Sequence, residues 1–488
     1  MSKRLKHQVI RAVPWSVAES VVNGLAGLAL TFVLAWFLEP SEVGEATIVL
    51  AVVGVIELVA GLGMTEAVVG AKSGDTRVSD TAFTAVFLLS IAAAGLCWLL
   101  AGAIGRFYGQ PIIAELLKVA ALILPVNALV AIPTGLMMRK MRAAAVTLRM
   151  TSARVATILA TAVLAYIHFG AWSLVLGTLI GSCTSVLAIM PFMSRWPRFR
   201  FNVAEFRKLI TFGAALSIEQ LLWGLMPRLF WLVLGYVHGA TVLGYFQFAQ
   251  RLIDETANLL RTFTLRFGLA YFAALERNGR NVADAFVKST RLITVVSAPV
   301  FAGLAVVMPD LIGTVFAAKW APAVIVSQIA AVGWLVSFPR VLVGPALRAR
   351  GRQSGLVLYA AIACGATVLA GLLTGGQGLV IVGLAWITRH IIGIPWGFYA
   401  IARYVGISPG RQIEASIRPI IAAAVMAGVV SSIAFLLSDL GAIARLIAEI
   451  TVGAISYLVV LTLIDRTTVN LVRALITDMR QVAGSARA

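Results

Sequence analysis

The chain has 488 residues, 60% of them hydrophobic and 12% charged, with a mean hydropathy of +0.94. Soluble domains carry about 25% charged residues, so this composition excludes a soluble globular protein and defines an all-α polytopic membrane protein. The net charge of +19 then reads as cation-rich cytoplasmic loops, and no nucleic-acid partner is expected.

Taken in order, the chain opens on a basic stretch, MSKRLKHQ, and an apolar run that continues to about Leu38 without a small-residue cleavage site. A retained first helix is expected there. Windows of about 20 apolar residues predict fourteen spans, near 15–38, 46–69, 80–104, 113–137, 145–168, 171–193, 210–236, 241–262, 288–308, 322–346, 355–374, 378–402, 417–437 and 443–464. With the N-terminus inside, the internal segments collect 28 cations, whereas the external ones carry Arg106, Lys118, Lys319 and Arg445. That asymmetry predicts a cytoplasmic location for both termini.

Along the spans, polar residues recur at helical spacing. In helix 1, Ser16, Glu19, Ser20, Asn23, Gly27 and Thr31 form one stripe. The first external loop, FLEPSEVGEA, holds Glu39, Glu42 and Glu45. A metal-dependent sugar transferase could place acids there. The plainer account is a turn at Pro40 with Ser41 capping helix 2 and acids favoured by the helix dipole.

The run ALSIEQLLWGLMPRLFWLVLGY (215–236) puts Glu219, Gln220, Pro227 and Arg228 inside a span. Ser217, Gln220, Gly224 and Arg228 share a face. Glu219 and Arg228 are nine residues apart, on opposite faces, and are not partners. In helix 8 the stripe is Gln247, Arg251, Asp254, Asn258 and Arg261, with Arg251 in reach of Asp254 or Glu255. The stretch 263–287 reads as amphipathic and interfacial.

Five arginines, Arg154, Arg228, Arg251, Arg340 and Arg389, lie roughly two turns or more from a span end. A charge at a helix centre costs roughly 2.5–3.5 kcal/mol even on the lenient insertion scale. The acids set against them are Glu19, Glu57, Glu219, Asp254 and Glu255. Two readings stay open: charges paired as buried glue between helices, or a cavity lined by them. A cationic cavity suits an anionic substrate, because guanidinium grips phosphate oxygens bidentately. The polar cavity and coupling candidates are Glu19, Asn23, Glu57, Glu219, Gln220, Asp254 and Glu255. The carboxylates offset positive charge or carry H+ or Na+. Cys97, Cys183 and Cys364 stand singly in apolar runs, and no two histidines sit at ligand spacing. No metal and no cofactor is expected.

Sliding the chain by 200 residues lays VAESVVNG (17–24) on SIEQLLWG (217–224), Glu19 on Glu219, Gly24 on Gly224 and Val43-Gly44 on Leu243-Gly244. Six spans per half make these parallel repeats about an axis along the membrane normal.

Three stretches carry a family likeness: YFQFAQRLIDETANLL (245–260), the run 271–323 with its PVFAGLA (299–305), MPD (308–310) and KWAP (319–322) segments, and LRARGR (347–352). Together with FLEPSEVGEATIVLAVVGVIELVAGLGMTEAVV (37–69), they resemble the polysaccharide-transport branch of the multidrug/oligosaccharidyl-lipid/polysaccharide flippase superfamily, over about 37–410.

The resemblance implies a bacterial inner-membrane flippase with two pseudo-symmetric six-helix lobes, 1–200 and 201–410, and two C-terminal helices in 411–488. It implies a polyprenyl-diphosphate-linked oligosaccharide as cargo, moved by alternating access, with membrane lipids and a polysaccharide polymerase and export machinery as partners. The arginines are carried over by property, since the family fixes no arginine position. The alternatives are a multidrug/cation antiporter or a peptidoglycan-precursor flippase of the same superfamily. A membrane sugar transferase or polymerase is more remote, because the external loops are short.

Overall fold

In hydrocarbon a chain must satisfy its own backbone hydrogen bonds, and helices do so within one segment. The computed structural model describes residues 24, 27–61, 63–70, 76–277, 282–437, 439–465 and 468. Among these residues every regular element is helical. The helices are α1 (Gly27–Phe37), α2 (Pro40–Gly61), α3 (Met64–Gly70), α4 (Thr76–Phe107), α5 (Pro111–Ala120), α6 (Ile123–Arg139), α7 (Ala143–Tyr166) and α8 (Ala171–Ile189). They continue as α9 (Val203–Arg277), α10 (Val282–Val315), α11 (Ala323–Ser337), α12 (Val343–Ala349), α13 (Ser354–Leu372), α14 (Leu379–Val405), α15 (Pro409–Leu436) and α16 (Ala442–Ile464).

Among the described residues, twelve helical stretches are long and apolar enough to cross a membrane, and α1 is a shorter apolar helix before them. One of the twelve, Ser217–Arg261, is two spans joined at Gly239, whose φ of 82° and ψ of 174° break the helix. The left-handed φ asks for a residue without Cβ. Residues 203–238 are therefore α9a and residues 240–277 are α9b. Counted this way, each of the fourteen expected spans meets a helix, the first through its described part, α1.

One local expectation changes. Helix α2 starts at Pro40, not after Ser41, and Glu42 Oε2 accepts the Glu39 N–H at 2.8 Å. Proline suits the first helical position because its missing N–H has no partner there anyway; Glu42, three residues after Glu39, closes the turn and Ser41 does not cap it. The stretch 263–287 is helical through Arg277 and resumes at Val282.

The chain forms two compact units, Met1–Leu259 with Ala360–Trp386, and Leu260–Tyr359 with Ile387–Ala488. In the first, α2, α4, α5, α6 and α8 pack on one another and α7 lies along α8. In the second, α10 is the hub, packed on α11, α15 and α16. Both turn large apolar side chains outward: Leu99 is 74% exposed, Leu463 72% and Phe435 82%. Buried hydroxyls return to their own helix, as Thr47 does to Val43 O at 2.7 Å and Thr294 to Thr290 O at 2.7 Å. Large apolar side chains turned outward are what a lipid solvent selects.

Candidate functional site

Glycines set how closely the helices of the first unit approach. Helix α2 runs antiparallel along α9a. A methyl group placed on Gly235 would meet Ile48, one on Gly54 would lie 2.2 Å from Arg228 Nε, and one on Gly224 would touch Leu58 at 3.2 Å. Helix α1 runs likewise along α9b, with Gly24 on Leu259 and Gly27 on the Glu255 carboxylate. The 200-residue shift carries one interface nearly onto the other: each repeat's first helix packs on the second helix of the other repeat. At the Gly239 end the match is complete. A Cβ on Gly44 would lie 1.8 Å from Ala240 O, and one on Gly244 would lie 1.7 Å from Pro40 O. These two contacts are images of each other under the repeat.

Charges follow these close approaches. Arg228 lies against Gly54 and its Nη1 donates to Gly224 O at 2.7 Å, along the stripe that spacing predicts. Glu57, one turn beyond Gly54 on α2, accepts from Asn127 Nδ2 at 2.9 Å and feels the Arg228 charge without pairing with it. On α9b the carboxylate of Glu255 lies on Gly27 and pairs with Arg154 of α7 at 2.9 Å. Arg251 therefore does not take Glu255 as its intrahelical partner. Glu255 reaches across to a guanidinium on another helix, which space at Gly27 makes available.

Asp254 does not pair with Arg251 either. Trp231 Nε1 donates to Gln250 Oε1 at 2.9 Å, and Gln250 Nε2 donates to Asp254 Oδ2 at 3.0 Å. This relay ties α9a to α9b at one level. Arg228 and Arg251 stand 11 and 12 residues on either side of Gly239. At 1.5 Å per residue both are about 17 Å from the bend. Arg251 makes no hydrogen bond and no ion pair among the described residues, and Arg228 spends one N–H on Gly224.

The other predicted residues are distributed as follows. Glu219 is half-buried and Gln220 exposed on α9a, in the first unit. Arg340 and Arg389 belong to the second unit; Arg389 is buried, and Tyr359 donates to its backbone carbonyl at 3.1 Å. Glu19 and Asn23 lie outside the described residues. Sequence reasoning missed Asn127, Gly54 and the Trp231–Gln250 pair. Asn127 is the one amide in the 113–137 span, which is the signal that would have found it. Among the described residues no cluster of three or more His, Cys, Asp or Glu could hold a metal ion.

An all-helical chain with this many spans, an internal repeat and charges held between the repeated helices has the architecture of a membrane transporter. The chain belongs to the polysaccharide biosynthesis protein family, whose pattern matches residues 33–325. It is similar to the succinoglycan biosynthesis transport protein ExoT of Rhizobium meliloti, with 25% identity over 471 residues, 94% of this chain and 93% of that protein. It is also similar to the lipopolysaccharide biosynthesis protein WzxC of Escherichia coli, with 25% identity over 355 residues, 71% of each chain. Among solved structures, the lipid II flippase MurJ in an inward closed conformation matches with a TM-score of 0.75 at 15% identity, over 93% of this chain and 100% of that one. That likeness speaks to the fold.

Proposed function

We propose that the protein is a flippase that carries a polyprenyl-diphosphate-linked oligosaccharide across the bacterial inner membrane by alternating access, for exopolysaccharide or lipopolysaccharide assembly. The observation that carries this reading is the pair Arg228 and Arg251, two guanidinium groups at one depth whose N–H donors are largely unspent. A diphosphate offers the acceptors they lack, in the bidentate geometry guanidinium favours. The succinoglycan transport and lipopolysaccharide biosynthesis relatives support a glycan cargo. The cargo moves unchanged, so no enzymatic step is assigned.

Glu57, Asp254 and Glu255 temper the positive charge and are the places where H+ or Na+ would couple. Glu219 and Gln220, with Glu19 and Asn23, complete the polar candidates on the same two repeats. Both termini lie in the cytoplasm on this reading, which the cation-rich internal segments support. A polymerase and export machinery would take the glycan on the far side.

A deletion strain tests this directly. It should lose one surface polymer and accumulate the lipid-linked precursor on the cytoplasmic side. Arg228→Ala and Arg251→Ala, expressed at wild-type level, should each restore at least about tenfold less polymer, the effect of losing a charge-assisted bond worth ~1.5–3 kcal/mol. Lysine at either position should rescue in part. Wild-type export from both alanine variants overturns the assignment.

A further inference from the structure

In the second unit two carboxylates face each other beside a single cation. Arg445 and Glu449 stand four residues apart on one face of α16, and that face meets α10 at Asp310. Arg445 Nη2 pairs with Asp310 Oδ1. Glu449 lies within hydrogen-bond reach of the Asp310 carboxylate. It is 1% exposed, and neither of its oxygens receives a hydrogen bond. The side chains of Asp310 and Arg445 are 15% and 25% exposed, so they link the buried acid to the surface.

No other group answers Glu449. Helix α11 and the half of α15 from Ile421 to Leu436 carry no ionisable residue. Asp284, Lys288 and Arg291 lie toward the other end of α10, Arg340 lies beyond the far end of α11, and Tyr457 and Asp465 belong to the far half and end of α16. Lys319 and Asp439 sit in turns near the Asp310 end, and neither gives Glu449 a donor.

Two ionised carboxylates that close repel, and in a buried pair one of them keeps its proton. A proton on Glu449 supplies what the arrangement lacks. The Glu449 O–H then donates to the Asp310 carboxylate, which still holds Arg445, and acid, carboxylate and guanidinium sum to zero charge. A hard metal ion wants six or more oxygens; two carboxylates are too few, and the guanidinium repels it. A proton needs no cavity. Asp310 is five residues from the end of α10 at Val315, and Arg445 is three from the start of α16 at Ala442. The cation asymmetry assigns that end to the external side.

We propose that Asp310 and Glu449 form a proton-binding site that holds one proton between two carboxylates and exchanges it with the external side of the membrane. It does not rest on the cargo assignment, because all three residues lie in the second unit and the test involves no transport.

The full-length wild type and Glu449→Gln, in neutral detergent, are melted in a series of buffers from mildly acidic to alkaline. The folded protein binds one more proton here than the unfolded chain, so this stability is present in acid and lost as pH rises. The gap in melting temperature should therefore widen with pH in favour of Glu449→Gln. Infrared spectra at neutral pH should show a protonated carboxyl stretch in the wild type that Glu449→Gln lacks. Arg445→Gln removes the charge that favours ionisation, so its carboxyl stretch should persist into more alkaline buffer than that of the wild type. This comparison carries the test if Glu449→Gln does not fold. Sodium chloride in alkaline buffer should not close the gap any more than choline chloride does. The proposal is overturned if the gap is the same at every pH, if the carboxyl stretch survives Glu449→Gln, if Arg445→Gln loses it at the same pH as the wild type, or if sodium alone closes the gap.

Discussion

Removing Arg154 strands the Glu255 carboxylate against the backbone of Gly27. A fully buried pair broken on one side costs ~3–5 kcal/mol. Arg154 is 37% exposed, so Arg154→Ala is expected to cost less, about 1–2 kcal/mol, seen as a lower melting temperature. Glu255→Ala should cost more, because Arg154 and Arg251 both lose the carboxylate whose charge they share. Arg154→Ala/Glu255→Ala should be less destabilised than the sum of the single variants; a simple sum would show the pair to be uncoupled. A second residue-scale case lies on α16. Glu449 is 1% exposed, both its oxygens lack donors, and it faces Asp310, which Arg445 holds. Only the nearby Arg445 charge favours a carboxylate there, and no donor reaches it. Glu449→Gln should leave the melting temperature unchanged or raise it, whereas Asp310→Asn should lower it by leaving Arg445 unpaired. A stabilised Asp310→Asn would contradict the pairing.

Between elements, the decisive groups are glycines that let backbones touch. Helix α8 meets α7 through Gly177 and Gly181, where an added methyl would lie 2.1 Å from Thr161 Oγ1 and 1.9 Å from Thr157 Oγ1, a small-residue contact of the kind that joins helices in lipid. The Gly44 and Gly244 crossings are tighter because backbone carbonyls are what an added Cβ would strike. Gly44→Ala and Gly244→Ala are each expected to reduce folded, detergent-extractable protein severalfold, with similar losses because the two contacts are repeat images. Normal yield from either would mean the crossing adjusts freely. The sequence made the helices themselves readable, since long apolar runs with cations on alternate sides leave little choice of span. Gly44 and Gly244 were also visible, as one matched pair in the repeat. Partner choice was not. Helical spacing tells which side chains share a face, as it did for Gly224 and Arg228, but nothing in the spacing says which helix will lie opposite. Glu255 therefore looked like a partner for Arg251 until the packing of α1, α7 and α9b brought Arg154 to it.

For the molecule at work, alternating access demands that the two repeats part at one end and then at the other. At the Gly239 end they touch. Phe107 of α4 stacks on Tyr236 of α9a with ring centroids 4.5 Å apart and planes 10° from parallel, and the Tyr108 hydroxyl donates to Leu232 O at 3.0 Å. Burial pushes the Tyr108 phenol up to about 12, so this bond keeps its proton at any pH a cell provides. Pro40 and Gly244, with Gly44 and Ala240, close the same end backbone to backbone. If cargo passes this end during the cycle, these contacts must break. Phe107→Cys/Tyr236→Cys, built on a chain whose Cys97, Cys183 and Cys364 are replaced by alanine, places two thiols on facing positions that a short, reducible thiol-reactive crosslinker can bridge. Crosslinking should stop polymer export, reduction should restore it, and neither single-cysteine variant should respond. Export that continues at the uncrosslinked rate with the bond fully formed would mean that this end stays shut throughout transport. The cargo would then need a path that leaves α4 and α9a together.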